Sequence, residues 1–97
     1  NGLSKSTLPY QFKISQAYPN PFNPETKLVL DVPYDRRFDI KIFNTLGNEV
    51  DQISNNEIFI RGRHTIKWFG DNHSSGIYII QVSDGINIKY RKVTLIK

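Results

Sequence analysis

The sequence predicts an all-β sandwich of about seven strands, and three observations predict it. Short segments of alternating apolar and polar residues recur along the chain, divided by Gly, Pro, Asn and Asp about every 8 to 12 residues. No stretch of useful length carries the helical period. The run Tyr18-Pro19-Asn20-Pro21-Phe22-Asn23-Pro24 places three prolines in six positions, which removes backbone donors and rules out both a helix and a central strand there.

Each element follows from its residues. Residues 1–9 are polar and read as a linker, with the folded domain spanning 10–97. Phe12–Gln16 is the first expected strand. The proline run then makes a stiff bend: proline holds φ near about −65° and pushes Tyr18, Asn20 and Asn23 toward extended geometry. It holds the rings of Tyr18 and Phe22 at a fixed separation, suited to closing the end of a core. Lys27–Val32, rich in aliphatic residues, is the second strand, and Pro33–Arg37 a proline-led loop. Asp39–Phe43 is the third. Asn44-Thr45-Leu46-Gly47 closes a tight hairpin, with glycine where φ turns positive. Glu49–Ile53 is the fourth strand. Gly62 and Gly70-Asp71 bracket the fifth, His64–Trp68. Ile77–Ser83, the turn at Asp84-Gly85 and Ile88–Ile96 complete the chain, the last being the one long strand.

Alternation also names the core. Leu28, Leu30 and Val32 share a face, as do Phe38, Ile40 and Ile42, and likewise His64, Ile66 and Trp68. Ile77–Val82 is apolar on both faces, which predicts a central or covered strand, with the proline bend as its expected cover. With no cysteine, packing alone must hold the core together. The lack of any methionine, at position 1 included, reads as a piece of a longer product.

The residue types present argue against several functions. No apolar run approaches the roughly 20 residues of a membrane-spanning helix. Asp71, His73 and Ser74 crowd one short loop, but catalytic groups converge from distant segments, so a polar turn is expected and no catalytic residue is assigned. No paired histidine spacing, calcium loop or glycine-rich phosphate loop is present, so neither a metal nor a cofactor is expected. Tyr10, Tyr18, Tyr34, Tyr78 and Tyr90 could serve carbohydrate stacking only if several were exposed in one plane. Thirteen basic against nine acidic residues give a net charge of +4, with Lys89, Arg91, Lys92 and Lys97 concentrated at one end. Interleaved with Ile88, Tyr90, Val93, Leu95 and Ile96, they fit a half-buried strand with a solvated face, or a strand read by a protein partner. Nucleic acid is the poorest fit, since exposed aromatics are not interleaved with the charge.

Taken in order, the bend Tyr18–Thr26, Leu28–Pro33, Ile40–Val50 with its Leu46-Gly47 turn, Gly62–Trp68, Ser75-Gly76-Ile77-Tyr78 and Lys92–Lys97 resemble the carboxy-terminal sorting domain, type A, of proteins exported by the bacterial type IX secretion system. That family is similar to the immunoglobulin-like domain of flagellar hook-capping proteins. The resemblance implies an immunoglobulin-like antiparallel sandwich and a non-catalytic address for a cargo, recognised by outer-membrane export machinery. It further implies removal by a sortase-like surface peptidase with attachment of the cargo at the cell surface. Recognition maps onto Gly76, Tyr78, Lys89, Lys92 and Lys97; Tyr18 to Pro24 (Tyr18, Pro19, Asn20, Pro21, Phe22, Asn23, Pro24), Gly47 and Trp68 are its structural landmarks. The exposed last edge also offers a weak homodimer contact. The alternatives are a structural or carbohydrate-associated sandwich of an extracellular enzyme and a hook-capping fragment.

Overall fold

The computed structural model describes residues 11–97, so the linker expected over 1–9 lies outside the described residues, as does Tyr10. Seven strands form: β1 (Lys13–Ile14), β2 (Glu25–Val32), β3 (Arg36–Asn44), β4 (Glu49–Phe59), β5 (Gly62–Phe69), β6 (Gly76–Ser83) and β7 (Ile88–Leu95). They build two antiparallel sheets, one ordered β1-β2-β5 and the other β4-β3-β6-β7, consistent with the expected immunoglobulin-like sandwich. The chain changes sheet at Pro33–Asp35, at Ile60-Arg61 and through residues 70–75, the places where prolines, glycines and polar residues interrupt the alternation.

The inward faces are those expected from alternation. Leu28, Leu30 and Val32 on β2 oppose Phe38, Ile40 and Ile42 on β3, all buried. Ile66 and Trp68 join them from β5, and Tyr78, Ile80, Val82, Val93 and Leu95 from β6 and β7. His64 lies on the same face as Trp68 but is only half-buried, at the sandwich end beside Phe59. Two Asx turns hold the hairpins. Asn44 Oδ1 accepts from the Leu46 and Asn48 N–H groups, with Gly47 at φ 85°. Asp84 Oδ1 accepts from Ile86 and Asn87, with Gly85 at φ 91°.

Four expectations need correction. β1 is two residues long: beyond Ile14 the Ser15 N–H still donates to the Val29 carbonyl, but the Val29 N–H is taken by the Ser15 hydroxyl in place of a backbone carbonyl. The longest strand is β4, not β7: it runs past the expected end at Ile53, through Ser54-Asn55-Asn56, to Phe59. There the ladder with β3 shifts register and Asn56 adopts φ 57°. The Asp39 carboxylate accepts the Asn56 N–H and Arg37 donates to its carbonyl, so the bulge is satisfied from β3. Tyr18 is 73% exposed, and Phe22 alone of the two rings enters the core. β6 is central in its sheet, as its sequence demands, but the proline bend does not cover its outer face; Ile77 remains exposed there.

Candidate functional site

The site is built on the β6–β7 hairpin and the segments touching it. β7 pairs along its length with β6, placing Val93 opposite Tyr78, Lys92 opposite Ile79 and Leu95 opposite Gly76. Among the described residues it has no strand neighbour on its other side.

Alternation along β7 runs in the opposite sense to a simple solvated-charge strand. Lys89 and Arg91 point inward, not outward. Arg91 donates from Nε to the Ser15 carbonyl at 3.0 Å and from Nη2 to the Ile14 carbonyl at 2.8 Å, so it clips β7 to the segment at β1. Lys89 Nζ lies 3.4 Å from Gln11 Oε1 and 5.6 Å above the Phe12 ring. Inward charge is one way an edge strand resists indiscriminate pairing. The outward side therefore shows Ile88, Tyr90 and Lys92, all exposed. Tyr90 and Lys92, with Phe43, Ile77 and Ile79, line a shallow apolar depression on the open face of the four-stranded sheet.

The other sequence-predicted residues lie around the β6 start. Tyr78 is buried in the core at 6% exposure, its ring 5.1 Å from Trp68 and its hydroxyl donating to the Ser74 carbonyl at 2.6 Å. Lys97 is tied to the same loop: its N–H donates to Ser75 Oγ at 2.9 Å and its ammonium to the Asp71 carbonyl at 2.6 Å. Gly76 pairs with Leu95. The structure thus brings Gly76, Tyr78 and Lys97 together at one end of the hairpin. Lys92 stands on its outward face, and Lys89 belongs to the opposite end.

The proline bend is held against β2, β5 and the loop after β5 at several points. Phe22 packs 5.6 Å from Trp68. Tyr18 and Lys27 exchange both backbone hydrogen bonds, closing the loop at its base. Thr26, fully buried, donates its hydroxyl to the Pro19 carbonyl at 2.8 Å, and the Gly70 N–H donates to the Pro24 carbonyl at 2.7 Å. The Tyr18-Pro19, Asn20-Pro21 and Asn23-Pro24 peptide bonds are cis. Sequence reasoning missed the two inward cations and the side-chain amide of Asn20, which bonds β7 directly. The one available signal for the latter was an asparagine between two prolines that cannot donate.

The loop that gathered Asp71, His73 and Ser74 packs its histidine on aromatics, 5.3 Å from Trp68 and 6.0 Å from Tyr78. Its Nε2 lies 3.8 Å from Asp51. Among the described residues, no three His, Cys, Asp or Glu side chains converge as a metal site would require. Among the described residues no helix is long and apolar enough to cross a membrane. Among the described residues the exposed tyrosines are Tyr18, Tyr34 and Tyr90, in the proline bend, the 33–35 loop and β7.

Residues 16–97 fit the family model described as the secretion system C-terminal sorting domain. No curated protein and no solved structure matches the chain.

Proposed function

The chain belongs to the secretion system C-terminal sorting domain family, and on that premise we propose that the outward side of β7, centred on Lys92, is the surface its export machinery reads. As a sorting signal of type IX secretion, the domain directs a cargo through the periplasm to the cell surface or beyond. It does so by being recognised, not by making or breaking bonds.

The observation that carries the proposal is the position of β7 at the rim of its sheet, with Tyr90 and Lys92 exposed beside Ile77 and Ile79. A protein receptor that adds a strand along the Ile88–Arg91 half gains affinity from backbone hydrogen bonds there, and selectivity from the Tyr90 and Lys92 side chains on the open face beside it. Lys92 supplies the cation on that face. The remaining residues act by position: Lys97 and the Tyr78 hydroxyl hold the 70–76 loop, Gly76 begins the hairpin, and Lys89 holds β7 toward Phe12. A sortase-like surface peptidase then separates cargo from domain. Self-pairing through the β7 edge is weak, since part of that edge is occupied within the chain.

Deleting Lys92–Lys97 is a poor test, because it removes Val93 and Leu95, both fully buried. The sharper variant is Lys92→Glu with Tyr90→Ser, made on the domain fused to a reporter cargo. Periplasmic retention of the reporter with an unchanged melting temperature is the expected result. Normal surface delivery overturns the proposal.

A further inference from the structure

Half of the β7 edge is already paired, by the chain itself. In an antiparallel ladder alternate residues turn their backbone groups away from the neighbouring strand, and here those residues are Ile88, Tyr90, Lys92 and Thr94. At Lys92 and Thr94 these groups meet the proline bend. Asn20 Nδ2 donates to the Lys92 carbonyl at 3.0 Å, and the Thr94 N–H donates to Asn20 Oδ1 at 2.9 Å. The Phe22 N–H donates to the Thr94 carbonyl at 2.9 Å, and the Ile96 N–H donates to the Phe22 carbonyl at 3.0 Å. One side-chain amide followed by one peptide thus reproduces the alternation of donor and acceptor that a neighbouring strand would offer.

We propose that the proline bend is an edge cover: a surrogate strand that closes the C-terminal half of β7 to any other extended polypeptide. Among the described residues no other segment pairs with the outer edge of the Ile88–Arg91 half, which is left for a partner to extend. Asn20 is suited to this by chemistry, because its amide is donor and acceptor at once, whereas Pro19 and Pro21 on either side have no N–H to offer. Those same prolines end the sheet, since no further strand can be built on a segment that lacks donors. The far edge of the sheet is protected differently, by the register shifts of β4. The cover is held in place independently of Asn20, by Phe22 in the core and by the Thr26 and Gly70 hydrogen bonds. Removing the amide therefore uncovers the Lys92 carbonyl and the Thr94 N–H without dismantling the bend.

The test is hydrogen exchange of individual amides in the 97-residue chain, followed by sedimentation equilibrium. With Asn20→Ala the Thr94 amide should exchange at least about tenfold faster, while Val93 and Leu95, bonded to β6, keep their protection. The double variant Asn20→Ala/Thr26→Val, which frees the bend at two points, should show a mass rising with concentration toward twice 11.3 kDa as uncovered edges pair. The unmodified chain should stay monomeric over the same range. An unchanged Thr94 rate, or a double variant that stays monomeric, overturns the cover. Neither measurement involves export machinery, so their outcome is independent of whether β7 is the recognised strand.

Discussion

Asp51 and Trp68 join the two sheets: the indole N–H of Trp68 on β5 donates to Asp51 Oδ2 on β4 at 2.8 Å. A buried tryptophan needs a partner for its one polar atom, and a carboxylate at the sheet rim supplies it while keeping solvent on its other side. His73 lies 3.8 Å from the same oxygen and stacks beside the indole, so the bond also organises the loop that leads into β6.

Asp51→Ala should lower stability by about 1–2 kcal/mol, because it strands the indole N–H in a largely buried site. Thermal unfolding measures the loss, and Trp68 fluorescence should report the altered surroundings. Trp68→Ala, which empties the space shared with Phe22 and Tyr78, should cost roughly 3–5 kcal/mol, close to the whole stability of a domain this size.

Gly70 sits where the bend, β7 and the 70–76 loop meet. A Cβ there would lie 2.8 Å from Leu95 Cδ2 and 3.3 Å from the Phe22 ring, both buried. Gly70→Ala should therefore destabilise by about 1–3 kcal/mol through overpacking. Gly47→Ala meets no atom within 4 Å, so its smaller effect, about 1–2 kcal/mol, comes from positive φ alone. Denaturant titration of the two variants separates crowding from backbone conformation.

Thr26→Val keeps the shape of a fully buried side chain and removes only the hydroxyl that donates to Pro19. The expected loss is about 1–2 kcal/mol, the penalty for an acceptor left without its donor. Faster exchange of the Tyr18 and Lys27 amides should accompany it, since those bonds close the same loop.

Arg91→Ala should release β1 from β7, because the guanidinium is what reaches the Ile14 and Ser15 carbonyls. A loss of about 1–2 kcal/mol with accelerated exchange around Lys13–Ser15 is expected. Lys92→Ala, on the exposed outward face, should change stability by no more than about 0.5 kcal/mol. Unequal effects of these two neighbouring cations would show that the charges at the chain's end serve two different purposes.

Much of the fold was legible because burial on a strand has period two. Leu28, Leu30, Val32, Phe38, Ile40 and Ile42 could be assigned to the interior from spacing alone, and Asn44–Gly47 and Asp84-Gly85 to turns from their chemistry. The candidate site was less legible. Its cations are adjacent in sequence, yet Arg91 faces inward and Lys92 outward, and composition does not distinguish them. β4 misled for a related reason: Ser54-Asn55-Asn56 has the composition of a turn, and only Asp39 and Arg37 across the ladder let a strand continue through it.

Local pattern by itself determined the class of fold, seven strand positions, most of the core and the kinship with a sorting signal, since each depends on residues near one another in the chain. Tertiary structure alone decided that Asn20 pairs with residues more than seventy positions away, that Phe22 and not Tyr18 enters the core, and which half of β7 stays open. Edge groups are satisfied by whatever segment the folded topology brings alongside. That choice is made by long-range packing, which leaves no periodic trace in the sequence.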